Sequence, residues 1–378
     1  MEAPFRDVEL ADALRPFGQS RMLPAAAYTS PAVLAWERRH LFAGAWTCVG
    51  RRPGPAVTQW AVTAGDVGVL VTIDGPRMRA FANICRHRGH ELLPDGGTTT
   101  RHSVVCPYHG WAYRLDGALA TAAAMRAVPG FDAGEHGLVE VPVAGWQGWV
   151  FVNATGGAPP LPDYLGGLAE LIEPYRPGAL QLGARHDYEV AANWKVIVEN
   201  YHECYHCPSI HPELCQVSPP TSGDNWDLPG VWVGGSMDLR QHAETMSLSG
   251  RSYGAFIQGA PRETVRYVGL FPNLLISAHP DYVMTHRLAP LAPDRTRVEC
   301  EWYVPDGVAD PSYAVEFWDI TNREDWAACE SVQRGVSSPH YRPGPLAPGE
   351  DAVYQWTTLV ARLYLDPVGG LRAATAVH

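Results

Sequence analysis

Two short loops, each with one cysteine and one histidine, constrain this chain more than any other feature. The first loop reads Cys85-Arg-His87, and after eighteen intervening residues the second reads Cys106-Pro-Tyr-His109-Gly-Trp. Each loop follows an apolar β-like run, AFANI and SVV, so both loops are expected at strand ends. The pattern predicts a small β structure whose two loops hold one metal group between them.

The ligand types suggest a Rieske [2Fe–2S] cluster. Such a cluster binds one iron through two cysteines and the other through two histidines, and the histidines raise its reduction potential. The alternative is a structural zinc site, which usually has the order C-x2–4-C followed by H-x3–5-H. A C-x-H pair followed by C-x2-H does not have that order. We therefore favour the cluster, with Cys85, His87, Cys106 and His109 as its ligands.

A second group of metal-binding side chains occupies the segment 193–214, NWKVIVENYHECYHCPSIHPEL. Glu203 and His206 are spaced i, i+3 and are predicted to share a helix face. Pro208 limits the helix, and a break there lets His211 reach the same metal as His206. Two histidines and a carboxylate form the facial triad of non-haem Fe(II) oxygenases, which leaves positions open for O2 and substrate.

The carboxylate is expected from TNREDWAACESVQRG, on the penultimate predicted helix. Asp325 is the best candidate, but Glu324 and Glu330 compete with it, since any of the three could lie on a solvated helix face. Trp318, Thr321 and Asn322 lie one or two helical turns before Asp325 on the same face, and Glu199 lies one turn before Glu203. These four residues are predicted to line a substrate pocket.

These motifs resemble the α subunits of Rieske non-haem iron oxygenases, the ring-hydroxylating oxygenase family. The similarity covers nearly the whole chain, including AWERRHLFAGAWTCVGR, the cluster motif, NWK with its E-x2-H-x4-H box, and EDWAACESVQRG. The resemblance implies the four cluster ligands named above, and His206, His211 and Asp325 for a mononuclear Fe(II). It also implies that Glu203 bridges the iron site to a cluster histidine of a neighbouring subunit.

The ECYHC context of Glu203 and the CESVQRG segment are most similar to the branch that acts on quaternary ammonium compounds, such as glycine betaine and carnitine oxygenases. The resemblance implies a head-to-tail ring, usually a homotrimer, closed by heterologous contacts. It also implies O2 as co-substrate and electrons from a separate NAD(P)H-dependent reductase or ferredoxin. No G-x-G-x-x-G nucleotide fingerprint follows a strand in this chain.

The predicted fold is α+β. Residues 1–43 form an N-terminal helical segment that packs on the catalytic domain, and residues 44–153 form a small all-β Rieske domain. Residues 154–378 form a larger, helix-grip-like catalytic domain with a central antiparallel sheet and flanking helices. The run TGGAPPLP is the best candidate linker between the last two.

Composition excludes several other classes of protein. The net charge of −11 argues against nucleic-acid binding, which needs a basic face. The apolar runs are shorter than the roughly 20 residues that cross a bilayer, and the acidic N-terminus has no apolar signal sequence. We expect a cytoplasmic protein without membrane contact, and the eight cysteines are not expected to form disulfides there.

Three functions remain open. The first is a monooxygenase that hydroxylates an N-methyl group of a small quaternary or tertiary amine, so that formaldehyde is released. The second is a hydroxylase or dioxygenase of an aromatic or natural-product substrate. The third is a Rieske-type electron-transfer protein, which would need only the β domain; the long second domain argues against it.

Overall fold

The computed structural model describes residues 3–375, and the chain divides into two compact units. One unit is Arg38–Ala158, and the other joins Met1–Glu37 to Pro159–His378. The predicted domain boundaries lie after residues 43 and 153, and the compact units divide after residues 37 and 158. Within the described residues, every helix is too short or too polar to cross a bilayer.

The unit Arg38–Ala158 is built from antiparallel sheets and is entered through a π-helical turn, Arg38–Phe42. The sheets have the strand orders β1-β11-β10, β5-β2-β3-β4-β9 and β6-β7-β8. Residues 69–73 of β3 are all buried, because this strand lies between apolar layers on both faces. The strands are β1 (Thr47–Arg51), β2 (Gln59–Ala64), β3 (Val67–Asp74), β4 (Arg77–Ala82), β5 (Thr98–Thr99), β6 (Ser103–Val105), β7 (Ala112–Arg114), β8 (Leu119–Thr121), β9 (Glu140–Val141), β10 (Val143–Trp146) and β11 (Trp149–Val152).

The second unit contains one large sheet with the order β12-β18-β17-β16-β15-β14-β13. All neighbouring strands are antiparallel, which confirms the predicted central antiparallel sheet. The central strand, with sequence LLISA, is buried throughout. The strands are β12 (Gln181–Val190), β13 (Asp224–Asn225), β14 (Trp232–Asp238), β15 (Thr264–Leu270), β16 (Leu274–Ala278), β17 (Val283–Ala292) and β18 (Arg295–Val304).

Helices of this second unit flank the sheet, and α9 is the longest of them. The helix predicted to carry Asp325 is present as α9, and the two short helices α4 and α5 are separated at Gly166 and Gly167. The α-helices are α1 (Asp7–Leu10), α2 (Ala25–Thr29), α3 (Pro31–Glu37), α4 (Leu161–Leu165), α5 (Leu168–Ile172), α6 (Trp194–Tyr201), α7 (Cys207–Ile210), α8 (Pro212–Val217), α9 (Ser312–Val336), α10 (Asp351–Leu365) and α11 (Pro367–Thr375).

Buried polar contacts fix the N-terminal segment to α6, the helix that leads into the second metal-binding motif. The carboxylate of Glu37 accepts hydrogen bonds from Lys195 Nζ at 2.6 Å and from Trp194 Nε1 at 2.9 Å, and the Glu37 and Lys195 side chains are fully buried. Tyr28 donates to Glu199 Oε1 at 2.9 Å. Removing one partner of a buried ion pair costs about 3–5 kcal/mol, because the other charge is left buried and unpaired. The N-terminal segment and α6 therefore depend on Glu37 and Lys195 being present together.

Candidate active site

The chain between α6 and α8 contains the breaks that the predicted iron-binding motif needs. Helix α6 ends at Tyr201 and α7 begins at Cys207, so Glu203 and His206 lie in a turn, and the prediction that they share a helix face is wrong. The two residues are nevertheless in contact. Glu203 Oε2 accepts from the backbone N–H of His206 at 3.1 Å, and its Oε1 hydrogen-bonds with His206 Nδ1.

His206, His211 and Asp325 converge on one point, although α9 supplies the aspartate from more than a hundred residues further along the chain. Asp325 Oδ1 lies 2.9 Å from His211 Nε2 and 3.4 Å from His206 Nε2. One ligand atom from each residue lies within 4.8 Å of the other two. The structure therefore brings together the three predicted iron ligands, and it directs both Nε2 atoms at the shared site.

The electrostatics of this site favour a bound cation. Burial disfavours a charged imidazole, but the hydrogen bonds and charges of Asp325 and Glu203 raise the pKa of His206 to about 9. Burial also opposes ionisation of Asp325, but its hydrogen bonds to the two histidines hold its pKa below the usual value. Positive charge is therefore stabilised here, and a divalent metal can supply it in place of protons.

The competing acids on α9 take other positions. Glu324 Oε2 lies 2.7 Å from His211 Nδ1, on the opposite side of the ring from Asp325. Glu330 Oε1 accepts a hydrogen bond from the backbone N–H of Ala191 at 3.1 Å. Among the three acids considered, Asp325 is the one whose carboxylate approaches both Nε2 atoms.

The two cysteine–histidine loops fold alike, because each has a glycine four residues after its cysteine. The N–H of Gly89 donates to the carbonyl of Cys85 at 3.0 Å, and the N–H of Gly110 donates to that of Cys106 at 3.1 Å. Both glycines have positive φ, 73° and 71°, which glycine adopts without steric strain. The first loop follows β4 and the second joins β6 to β7, which confirms the prediction that both follow strands.

The four predicted cluster ligands fit a two-iron group better than a single ion. Cys85 and Cys106 are buried, while His87 is half-buried and His109 exposed, with ring centroids 4.7 Å apart. A zinc ion would require these four ligand atoms around one point. Within residues 3–375, the residues that meet such a condition are the two histidines and aspartate described above, not these four.

Comparison with known proteins decides the family. The family described as "Ring hydroxylating alpha subunit (catalytic domain)" matches residues 177–366, and the family described as "Rieske [2Fe-2S] domain" matches residues 53–132. The chain belongs to the ring-hydroxylating oxygenase α subunits. This α subunit is therefore an oxidoreductase whose cofactors are a Rieske cluster and a mononuclear iron. The hypothesis of a simple electron carrier is wrong, because such a carrier has no catalytic domain.

Relatives and solved structures agree with this family. The chain is 32% identical to the glycine betaine monooxygenase oxygenase subunit of Chromohalobacter salexigens, over 89% of this chain and 84% of the relative. It is 31% identical to the carnitine monooxygenase oxygenase subunit of Escherichia coli K12, over 85% of each.

The structure of the quaternary ammonium Rieske monooxygenase CntA with L-carnitine matches with a TM-score of 0.76 and 25% identity, over 95% of this chain and 99% of that one. Naphthalene 1,2-dioxygenase with indole bound has the same fold, with a TM-score of 0.73 and 17% identity over 99% of this chain and 98% of that one.

A cavity of about 890 Å³ opens beside the predicted iron ligands His206, His211 and Asp325. Trp318, Thr321 and Asn322 all line it, as predicted from their helical spacing with Asp325. Trp318 Nε1 donates to Tyr282 at 2.7 Å, and Thr321 donates to the carbonyl of Phe317 at 3.1 Å. Asn322 Oδ1 lies 3.0 Å from His286 Nε2. The Asn322 amide therefore orients the imidazole ring of His286, which also lines the cavity.

One residue of α6, Glu199, is placed differently from its prediction. Glu199 was predicted to line the pocket, but it is absent from the cavity lining within the described residues. Its carboxyl group contacts Tyr28 instead, and burial raises its pKa to about 8. The physical reason is that α6 ends before Glu203, so helical spacing from that residue does not give the direction of Glu199. His202, in the turn after α6, lies on the cavity wall.

The prediction that the cysteines form no disulfide is wrong for one pair. Cys204 and Cys207 form a disulfide across the turn that contains His206, with their Cα atoms 4.9 Å apart. The prediction was based on the expected cellular compartment and not on local geometry. A C-x-x-C spacing in a tight turn brings two thiols within bonding range, and the sequence contained that signal.

Tyr113 is expected to tune the Rieske cluster. Its hydroxyl accepts from the N–H of Arg86 at 3.0 Å and lies 3.2 Å from Cys85 Sγ. A cysteine that binds a cluster is a thiolate without a hydrogen, so the hydroxyl would donate to the sulfur once the cluster is bound. Hydrogen bonds to cluster sulfurs raise the potential. One such bond contributes about 1 kcal/mol, or roughly 40 mV for one electron. We expect Tyr113→Phe to lower the potential by about that amount in redox titrations followed by electron paramagnetic resonance.

The matched control is Tyr108→Phe. Tyr108 lies in the second cysteine–histidine loop, between Cys106 and His109, and its side chain is more than half exposed. Its hydroxyl group is not expected to influence the cluster. An unchanged potential in Tyr113→Phe, with the cluster fully loaded, would show that the sulfur contact has no electronic effect.

Proposed function

We propose that this α subunit removes an N-methyl group from a small quaternary or tertiary amine. The observation that carries the proposal is the chemistry of the cavity wall beside His206, His211 and Asp325. Within the described residues this wall contains aromatic rings and carboxylates but neither lysine nor arginine. Such a wall suits an organic cation.

Aromatic side chains form a continuous group along the wall. The ring of Tyr267 lies 6.3 Å from that of Trp318 and 6.1 Å from that of Tyr201, at 68° and 75°. The ring of His286 continues the group, 6.2 Å from Tyr201 and 5.9 Å from Trp326. Aromatic faces attract quaternary ammonium groups through their quadrupoles, so the group supplies a surface for a methylated nitrogen.

The ionisable groups of the wall support the same preference for a cation. Asp224 and Asp351 lie on the wall in addition to the iron-site acids. Burial lowers the pKa of His202 to about 3 and that of His286 to about 4, so both imidazoles are neutral at physiological pH. A positively charged amine therefore meets negative and neutral groups.

The proposed reaction consumes O2, two electrons and two protons for each methyl group. One oxygen atom enters a C–H bond of the N-methyl group and the other leaves as water. The resulting carbinolamine breaks its C–N bond, which releases formaldehyde and the demethylated amine. When bound, the mononuclear iron supplies the O2 activation. Trp318 and the neighbouring rings hold the amine so that a methyl group faces the metal ligands.

The electrons are proposed to come from a separate NAD(P)H-dependent reductase, since the chain lacks a nucleotide fingerprint. The active form is proposed to be a head-to-tail homotrimer in which each cluster reduces the iron of the next subunit. Both relatives described above are named as oxygenase subunits, which supports a partner. The exposed His109 supports transfer out of the Rieske unit.

The test uses the holoenzyme with a surrogate reductase and a panel of amines, such as glycine betaine, carnitine, choline and a tertiary amine. Naphthalene serves as the aromatic comparison. We expect formaldehyde in equal amounts to the O2 consumed with at least one amine. Hydroxylated naphthalene without formaldehyde from any amine would favour the aromatic hydroxylase or dioxygenase instead.

Trp318→Ala is expected to weaken binding of a quaternary amine by roughly tenfold, because a desolvated cation–π contact contributes about 1–2 kcal/mol. The measurement is the dissociation constant of the cation and of its neutral isostere, in which carbon replaces the nitrogen. The cation should lose more affinity than the isostere. Trp318→Phe is the matched control, since it keeps a ring at the same position. An equal loss of affinity for both ligands would show that Trp318 contributes packing and no cation–π attraction.

A further inference from the structure

We infer that Glu324 is a positioning residue that fixes the orientation and tautomer of the iron ligand His211. Adjacent residues of α9 contact opposite sides of this ring. Asp325 Oδ1 lies 2.9 Å from Nε2, and Glu324 Oε2 lies 2.7 Å from Nδ1. The ring is thus held at both nitrogens by one helix.

The geometry assigns a separate role to each nitrogen. The Nε2 atom belongs to the metal-binding group, because Asp325 Oδ1 also lies 3.4 Å from the Nε2 of His206. The carboxylate of Glu324 can only accept, so Nδ1 must carry the hydrogen. The Nε2 lone pair is then free for the metal. A carboxylate behind a metal-binding histidine also raises its basicity and sets its ring plane.

The two iron-binding histidines have the same kind of support from different parts of the chain. His206 hydrogen-bonds through Nδ1 with Glu203, which lies in the same turn. His211 lies between α7 and α8, and its carboxylate partner comes from α9. Glu324 therefore joins the histidine-bearing segment to the helix that carries the third ligand.

A role in stability alone explains Glu324 less well. The Glu324 side chain is 31% exposed, whereas that of His211 is 1% exposed. A partly exposed ion pair contributes little to folding. The position of the carboxylate is instead specific to the buried ring, so its removal is expected to affect metal binding more than the melting temperature.

The experiment measures Fe(II) affinity after the mononuclear iron has been removed with a chelator and the Rieske cluster retained. Glu324→Ala is expected to weaken Fe(II) binding by about 10–100-fold, the usual effect of losing such a partner. Glu324→Gln is expected to recover most of the affinity, because its amide oxygen still accepts from Nδ1–H. The electron paramagnetic resonance spectrum of the nitric oxide complex should broaden in Glu324→Ala and not in Glu324→Gln.

The matched control is Glu316→Ala, an exposed glutamate on the same helix. Melting curves and the Rieske spectrum establish that each variant is folded. Fe(II) affinity within twofold of the parent in folded Glu324→Ala would overturn the inference. Equal weakening in the Gln variant would also overturn it, since charge and not an acceptor at Nδ1 would then be responsible. Neither readout needs a substrate, so the result is independent of the proposed demethylation.

Discussion

Replacing Asp325 with Ala is expected to remove the mononuclear iron and to abolish O2-dependent turnover. The purified chain should keep its red-brown colour, because the cluster ligands lie in the other compact unit. Asp325 is the carboxylate that approaches both Nε2 atoms, and two histidines alone leave the facial triad incomplete. Iron analysis should fall from about three atoms per chain to about two.

Glu316→Ala again serves as the control for a change of charge on α9. It should retain the full iron content and full turnover. The complementary variant is Cys106→Ser, which is expected to lose the cluster while the mononuclear site still binds Fe(II). If Asp325→Ala retained all of its iron, or if both variants lost the same iron, the assignment of two separate centres to two ligand sets would be wrong.

The parts of this α subunit that could be predicted from sequence are those determined by local spacing. Both cluster loops contain the spacing Cys-x-x-x-Gly. In each loop a single turn of the backbone places the glycine N–H within hydrogen-bonding distance of the cysteine carbonyl. Trp318 and Asp325 are two helical turns apart on α9, so their common direction follows from the helix period.

The parts that could not be predicted depend on chain breaks and on long-range packing. Helical spacing misplaced Glu199 because no strong local signal marks the end of α6 at Tyr201. Tyr267 lines the cavity from β15. The alternation of buried and exposed residues along a strand does not indicate which helix packs against its buried face. The contact between Glu324 and His211 could not be predicted either, because the two residues are 113 positions apart in sequence.

Glu203→Gln is expected to lower turnover by roughly 100-fold, at the upper end of effects for a residue behind a metal ligand. Both metal centres should remain loaded, because the amide oxygen still accepts from the N–H of His206, as Glu203 does. The lost feature is the negative charge that is proposed to link the iron site to a cluster histidine of the neighbouring subunit. Stopped-flow measurement of cluster reoxidation with substrate and O2 should show the same slowing, and Glu203→Asp should lose less.

Oligomers assembled from two different variant chains can test in which subunit Glu203 acts. Chains with His109→Ala cannot pass electrons from their own cluster, and chains with Asp325→Ala cannot hold the mononuclear iron. If electrons cross between subunits, rings assembled from both chains should regain part of the activity that neither has alone. Adding Glu203→Gln to the His109→Ala chain, which supplies the working iron, should remove the regained activity. The same change in the Asp325→Ala chain should leave it intact, because that chain's iron site is not used. Equal effects from both placements would refute an action of Glu203 at the receiving iron.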